Sequence, residues 1–463
     1  MADLAPPQGG SYGDCGKGRH LLNRLRAGLL ALLALCASPA LAEIEVEKAS
    51  LGHGVSAWYA ENHSVPVVDV VISFEGAGSA SDPEGKGGRA AFAASMLTEG
   101  TKSLDSVAFR RALEERAITM DAEAEQDRLQ IHIYCLKEHA PRAGALLAEA
   151  LKSPRLDPAD QARMKAELAS ILAHLKERPN YQAERLLAEK AFAGHPYANP
   201  PYGTETSLAS LEEADVRRYL ASSVTRGNVL IAAAGDVDED LLQSMLSPVV
   251  DALADGDAGP VSVPAATLHG AGETVHGKTP APQTAILFAA PGIARDDPRF
   301  YAAYLLNHIL GGGDLTSRLS TEVRQQKGLV YSIGTDLSIR RGVALLSGAL
   351  ATRNARVEEA LAATRETFNH LRDKGVTEQE CADAKSDVLG SFARRMDGNG
   401  AVASLLLSMQ IHHLGEDYIQ KRDGYFNAVK CQSLDALAKE LLDPARFLFV
   451  AVGGEPETKP LEK

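Results

Sequence analysis

The histidines are the residues of this chain best suited to catalytic chemistry, because imidazoles one helical turn apart can hold a zinc ion. The sequence contains 13 of them. His174 and Glu177 would share one helix face, but Arg178 stands where a zinc-binding helix needs its second imidazole. His412 and His413 are adjacent, so on a helix their side chains would point about 100° apart. We therefore expect no zinc cluster from these histidines.

Other common catalytic signatures are also missing. The sequence contains neither a G-x-S-x-G nucleophile elbow nor a G-x-x-x-x-G-K-[ST] phosphate loop. The formal net charge is −13 over 463 residues, and no block of lysines and arginines interrupts it. This acidic balance argues against general binding to nucleic acids or to anionic membranes.

The first 42 residues have the layout of a secretory signal peptide. Arginines precede the apolar run 27–36, and the sequence Ala40-Leu41-Ala42 offers a cleavage site before Glu43. The apolar run is too short to span a membrane. We expect cleavage near Ala42 and export, to the periplasm if the source is a Gram-negative bacterium.

Three of the five cysteines, Cys135, Cys381 and Cys431, lie beyond this segment. An odd number at wide spacing is not a disulfide framework or a zinc ribbon. One bridge is possible in an oxidising compartment, but we favour buried free thiols.

The remaining chain divides into two halves. Short β-branched runs between residues 44 and 79, and again at 127–136, predict strands; helices are predicted at 103–117, with Ser103 as the cap, and at 158–178, with Asp157 as the cap. The order of a helix followed by a strand at 226–237 is repeated by a helix followed by a strand at 446–454. Such a repeat indicates two related α+β domains at 43–250 and 269–463, joined by the Ala-, Gly- and Pro-rich linker 251–268.

The segment 307–335 combines a turn, a helix and a strand. Gly311-Gly312-Gly313 forms the turn, and Asp314 is placed to cap a helix that runs to about Lys327. Leu315, Leu319 and Val323 would form the buried stripe of that helix. Gly328 would then end the helix before the strand begins.

The stretch Gly85–Thr101 resembles the H-x-x-E-H region of pitrilysin/insulinase-type zinc peptidases. When its Met-Leu-x-x-Gly-Thr tail is aligned with the family's, the two histidine positions are occupied by Ala91 and Ser95 and the catalytic glutamate position by Ala94. Alanine and serine can neither hold zinc nor take a proton from its water. We expect this degenerate motif to bind no metal.

The resemblance places the family's third zinc ligand, a glutamate on a later helix, at Glu167. Met164, Leu168, Ile171 and Leu175 would form the buried stripe of that helix, with Glu167 at its edge. Glu167 is then a leftover carboxylate that faces an empty pocket, or an ordinary glutamate at the edge of the core. His195, in the loop GHPYANPPYG, also matches the family and is expected to serve the structure.

The second half resembles the family's C-terminal domain, where S-R-L and G-L-x-Y follow a glycine-rich turn. The resemblance implies that Arg324 and Tyr331 reach a zinc site in the other half or in a partner subunit, where they bind the substrate carbonyl and its oxyanion. The structural alternative is that Arg324 lies against a helix C-terminus and Tyr331 packs on a sheet face. Arg318 is expected to be structural.

Together these matches imply a fold like that of the mitochondrial-processing-peptidase-type metallohydrolases: two related domains, each a mostly antiparallel sheet flanked by helices. They imply a non-catalytic subunit of an exported heterodimeric zinc metalloendopeptidase that degrades unfolded peptides. In this interpretation the chain binds no cofactor, zinc belongs to a partner of the same family, and Arg324 and Tyr331 act in trans. The alternatives are an inert scaffold or peptide-binding protein of the same fold, and an enzyme with an unrecognised metal site.

Overall fold

Two β-sheets with matching strand connectivity organise the fold. The computed structural model describes residues 44–256 and 263–454. The first sheet has the order β1-β2-β6-β3-β5-β4. Its strands are β1 (Glu47–Ser50), β2 (Ser56–Glu61), β3 (Val67–Glu75), β4 (Thr119–Ala124), β5 (Arg128–Leu136) and β6 (Val229–Gly235). The second sheet has the order β7-β11-β8-β10-β9. Its strands are β7 (Thr274–Lys278), β8 (Gln283–Pro291), β9 (Val330–Arg340), β10 (Val343–Arg353) and β11 (Leu448–Gly453).

The two sheets repeat one topology. β6 runs parallel to β2 and antiparallel to β3, and β11 runs parallel to β7 and antiparallel to β8 in the same way. The remaining neighbours in both sheets are antiparallel. The strands predicted at 226–237 and 446–454 are β6 and β11. The repeated helix–strand order in the sequence therefore marks equivalent strands. The predicted α+β fold, with two related and mostly antiparallel sheets flanked by helices, is confirmed.

Fourteen α-helices cover the sheets in the described part of the chain. Those of the first half are α1 (Arg89–Met96), α2 (Ser106–Glu114), α3 (Ala140–Lys152), α4 (Pro158–Lys176), α5 (Pro179–Ala191), α6 (Glu205–Ala209), α7 (Glu213–Ser223) and α8 (Glu239–Ala252). Those of the second half are α9 (Phe300–Asn307), α10 (Val357–Lys374), α11 (Glu378–Arg395), α12 (Asn399–Ile411), α13 (Tyr418–Asn427) and α14 (Cys431–Leu441).

Two of these helices cross between the halves. α5 precedes the predicted linker but packs on β8 and β11 of the second sheet. α12 belongs to the second half but packs on β2, β3 and β6 of the first sheet. Each half therefore completes the hydrophobic covering of the other, which the sequence division at 251–268 does not indicate. Of that predicted linker, residues 251–252 still belong to α8, 257–262 lie outside the described residues, and 263–268 are irregular.

Two predicted helices can be compared with the structure directly. The helix predicted at 103–117 spans only Ser106–Glu114, and its cap is Asp105 rather than Ser103. A carboxylate oxygen of Asp105 accepts a 2.8 Å hydrogen bond from the backbone N–H of Ala108, while the Ser103 hydroxyl donates to Glu149 instead. The helix predicted at 158–178 is α4, with Asp157 at its N-cap position.

The cysteines correct the prediction of free thiols. Cys381 at the start of α11 and Cys431 at the start of α14 form a disulfide, so the interpretation of buried free thiols is wrong for these two. Cys135 is free and buried, and burial raises the pKa of its thiol to about 12. Sequence spacing gave no sign that α11 and α14 begin side by side.

The predicted signal peptide, residues 1–42, lies outside the described residues. Among the helices that are described, none combines the length and apolar character needed to cross a membrane.

Candidate functional site

The degenerate zinc motif lies on α1, which is held by packing. Ala91 and Ala94 are buried, and the half-buried Ser95 donates its hydroxyl hydrogen to the Phe92 carbonyl at 2.8 Å. Phe92 is fully buried, and the ammonium group of Lys165 on α4 lies 5.4 Å from the centre of its ring. The interior that surrounds α1 is thus filled by small and apolar side chains.

A carboxylate from outside α1 stabilises its N-terminus. Asp82 accepts hydrogen bonds from the backbone N–H groups of Gly88 and Ala90, at 2.8 and 3.0 Å. Burial raises the pKa of Asp82 to about 6, although these hydrogen bonds and the nearby Arg89 act in the opposite direction. The buried carboxylate of Asp82 is therefore committed to stabilising the start of α1.

Glu167 lies on the exposed side of α4. It has no hydrogen bond or ion pair with any residue that the structure describes. The predicted stripe is also shifted, because Ile171 is exposed and Leu175 is only half-buried. The buried positions of the helix are Gln161, Met164, Leu168 and Leu172.

The donor set does not fit a catalytic zinc ion. The methyl groups of Ala91 and Ala94 offer no ligand atom, and the Ser95 hydroxyl is already bonded to its own helix. Glu167 alone would leave at least two protein ligands missing. Within residues 44–256 and 263–454, no group of three histidine, cysteine, aspartate or glutamate side chains could hold a metal ion. His195 instead bonds to the backbone of Tyr197 and Pro264.

The segment before β9 differs from the predicted helix. After α9 the chain forms a π-helical turn at His308–Gly312, a 3₁₀ turn at Asp314–Thr316 and a second π-helical turn at Ser320–Gln326. Asp314 has a positive φ of 48° and makes no side-chain cap, so its predicted role is wrong. Leu319 and Val323 are fully buried as predicted, but Leu315 is exposed.

The glycines explain this irregular path. A Cβ atom on Gly311 would lie 2.6 Å from the hydroxyl oxygen of Thr335, so only glycine lets the turn pass this close to β9. Gly328 has a φ of 58° and ends the second π-helical turn, as predicted. The backbone N–H of Gly328 bonds to the Arg324 carbonyl and that of Leu329 to the Val323 carbonyl, both at 3.1 Å.

Arg324 and Tyr331 are brought together by this turn. The guanidinium carbon of Arg324 lies 5.7 Å from the centre of the Tyr331 ring, within the range of a cation–π contact. Tyr331 is 82% exposed and Arg324 is half-buried. Neither side chain has a hydrogen bond or an ion pair with a described residue. Their donors therefore face solvent together, and Tyr331 does not pack on a sheet face.

The guanidinium of Arg318, by contrast, is held by three hydrogen bonds. Its guanidinium forms two hydrogen bonds with the Glu380 carboxylate, at 2.7 and 2.9 Å, and a third with the Gly375 carbonyl. This arrangement ties the turn that carries Arg324 to the start of α11.

A cavity of about 680 Å³ lies between α5 and the second sheet, and neither Arg324 nor Tyr331 is among its described lining residues. Ser332, which follows Tyr331, lines it together with Gly312, Asp314 and the α5 residue Glu184. Burial raises the pKa of the Glu184 carboxyl, while Arg340 and Arg185 act to lower it. Glu184 was not predicted from the sequence, because no local pattern shows that α5 packs on the sheet of the other half.

The fold and the site define a class: a duplicated metallopeptidase fold whose described residues offer no metal-binding donor set. Residues 58–205 match insulinase, peptidase family M16, and residues 210–388 match the peptidase M16 inactive domain. The chain therefore belongs to the M16 insulinase family, and it is a non-catalytic member of it.

Individual relatives agree with this assignment. A Helicobacter pylori protein described as "non-peptidase homolog YmxG" is 29% identical over 334 residues, which is 72% of this chain and 76% of that protein. The crystal structure of a peptidase M16 inactive domain from Pseudomonas fluorescens superimposes with a TM-score of 0.82 at 26% identity, covering 90% of this chain and all of that one. A chain of complex III2 from Candida albicans shares the fold, with a TM-score of 0.72 at 18% identity over 88% of this chain and 96% of that one.

Proposed function

We propose that this chain is the non-catalytic subunit of an exported heterodimeric zinc metalloendopeptidase that degrades unfolded peptides. The partner is a relative of the same family with an intact H-x-x-E-H motif. Arg324 and Tyr331 complete the partner's active site. The observation that carries this proposal is the Arg324–Tyr331 pair, whose donors bond to no described residue, in a chain whose own zinc motif lacks every ligand on α1.

The chemistry of the two side chains suits this role. Hydrolysis of a peptide bond places negative charge on the substrate carbonyl oxygen, and fixed donors near that oxygen lower the barrier. The guanidinium of Arg324 offers several N–H donors in a fork, and the Tyr331 hydroxyl offers one more. The buried anchors Leu319 and Val323 hold the turn, so the donors need little reorganisation when substrate arrives.

Export is supported by two features of the chain. The signal-like residues 1–42 precede the fold, and the Cys381–Cys431 bridge is of the kind that persists in oxidising compartments such as the periplasm. Unfolded peptides are the proposed substrates because an enclosed site between two subunits admits extended chains and excludes folded domains.

The test is reconstitution with a zinc-bearing relative of the same family, followed by a peptide-cleavage assay. Arg324→Ala and Tyr331→Phe should each lower kcat by about 10²–10³, with a smaller change in KM, because the donors act chiefly in the transition state. Matched controls are Arg111→Ala on α2 and Tyr134→Phe on β5, both of exposed residues outside the pair. Full kcat in both pair variants, with assembly intact, would refute the proposal.

The relative described as a non-peptidase homologue favours one alternative, an inert scaffold or peptide-binding protein. A scaffold would bind peptides, or a partner subunit, with the same affinity whether or not Arg324 and Tyr331 are present. It would also leave the cleavage rate of any zinc-bearing relative unchanged when the two chains are mixed. The same reconstitution therefore separates the two candidates.

A further inference from the structure

The tips of two equivalent hairpins meet where the halves join. The turn between β4 and β5 contributes Gln126 and Asp127, and the turn between β9 and β10 contributes Arg341. The guanidinium of Arg340 donates to the Gln126 side-chain oxygen at 2.7 Å, and the backbone N–H of Arg341 donates to Asp127 at 3.2 Å. The buried Tyr197 hydroxyl lies 2.7 Å from Asp127 and from the Arg341 carbonyl.

A second cavity, of about 370 Å³, lies beside these tips, and we call it the junction cavity. Both halves line it, and its polar lining is predominantly basic. The cationic and titratable nitrogen side chains around it are those of Arg128, Arg340, Arg341, His412 and His413. The only carboxylate in its described lining is Glu75.

That carboxylate is already engaged. Glu75 lies 3.1 Å from the Nε atom of Arg128 and accepts a 2.9 Å hydrogen bond from the Ser73 hydroxyl. Arg340 forms no ion pair within 4 Å of any residue in the described ranges, although its charge acts on the Glu184 carboxyl. Its guanidinium carbon lies 5.7 Å from the centre of the Tyr197 ring. Three guanidinium groups and one carboxylate thus line the junction cavity.

The environment of His412 agrees with this charge balance. Burial is the largest cause that lowers its pKa, to about 4, and the charges of Arg295, Arg128 and His413 add to the effect. Each of the charged neighbours that shift this histidine is a cation. A neutral imidazole at His412 can still donate or accept one hydrogen bond within the cavity.

We propose that the junction cavity binds an anionic group of the carboxylate or phosphate class, held by Arg128 and Arg340 from opposite halves with the imidazoles of His412 and His413. Guanidinium groups recognise both kinds of oxyanion through paired N–H donors. Such a ligand would connect the two halves and stabilise their packing by mass action. This proposal is independent of the role given to Arg324 and Tyr331.

Calorimetric titration of the full mature chain tests the proposal with three probes. These are inorganic phosphate, N-acetyl-dialanine, and the uncharged amide of the same dipeptide. Saturable binding of either anion, with no binding of the amide, is the expected result, and comparison of the two anions shows which oxyanion the cavity prefers. A chain that binds neither anion would overturn the proposal.

Two variants locate the binding. Arg340→Gln should weaken the anion's Kd about tenfold, because it removes a charge-assisted donor. His413→Asn changes an exposed residue at a positive φ of 53°, which asparagine tolerates, and should weaken binding severalfold without affecting the fold. Arg111→Gln on α2 is the matched control and should bind like the wild type. Unchanged affinity in both cavity variants would place the anion elsewhere and contradict the proposal.

Discussion

The degenerate motif on α1 and the Arg324–Tyr331 pair occupy related halves of one duplicated fold, yet they use their residues in opposite ways. On α1, Ala91 and Ala94 are buried and serve packing alone. After α9, an irregular turn carries Arg324 and Tyr331, which contact each other and form no hydrogen bond or ion pair with a described residue. Folding explains the residues of the first region and leaves those of the second unexplained. The second region is therefore where function is to be sought.

The largest effect on stability is expected in the first region. Phe92→Ala should lower the free energy of unfolding by about 3–5 kcal/mol, because it removes a fully buried ring from under α1. Urea unfolding of the isolated chain measures this. A loss below about 1 kcal/mol would mean that the interior around α1 collapses easily. Packing would then explain the residues of α1 less well.

Restoring the zinc motif tests whether α1 serves packing alone. A triple variant with Ala91→His, Ala94→Glu and Ser95→His should lose about 1–3 kcal/mol of stability, since two of the larger side chains must enter buried positions. Ser95→His alone, at a half-buried position, is the control and should lose less. A triple variant as stable as the wild type would show that room for the family's ligands has survived.

The Arg318–Glu380 ion pair predicts a pH effect in the second region. Burial raises the pKa of Glu380, but the hydrogen bonds from Arg318 and Thr377 outweigh it and bring the pKa to about 2. Since the folded pKa lies below the unfolded one, the stabilisation is present above about pH 4.5 and is lost as the pH falls toward 2. Chemical unfolding of Arg318→Met should show a deficit of about 1–2 kcal/mol at pH 6 that shrinks toward pH 3. A deficit that stays constant with pH would contradict this assignment.

The smallest expected effect concerns Leu315. Because this side chain is exposed rather than part of a buried stripe, Leu315→Ala should change the free energy of unfolding by less than about 0.5 kcal/mol. Leu319→Ala, four residues on and fully buried, should cost about 2–5 kcal/mol in the same assay. Equal losses of stability in the two variants would instead support the regular helix that the sequence predicts.

Periodicity and local chemistry were sufficient to predict much of the fold. β5 and α4 follow from alternation and from Pro158 in a first turn, and the repeat led to the equivalent strands β6 and β11. The resemblance added the degenerate motif and the Arg324–Tyr331 positions, and membership of the family is confirmed. The roles of the two residues remain a prediction.

The largest failures share a physical cause: they depend on long-range contacts. The π-helical turn at His308–Gly312 brings Gly311 close to Thr335 on β9, a contact between segments that are more than 20 residues apart. The exchange of α5 and α12 between the sheets, and the Cys381–Cys431 bridge, likewise join segments far apart in sequence. Patterns over a few residues carry no information about such pairings.

The central claim is tested most directly by adding this chain to the isolated zinc-bearing relative and following peptide cleavage as the ratio of the two chains rises. We predict that cleavage increases and saturates at one chain per relative. We also predict that the double variant Arg324→Ala/Tyr331→Phe forms the same complex without the increase. An equal increase with the double variant, or no increase with the wild-type chain in a complex that forms, would contradict the claim.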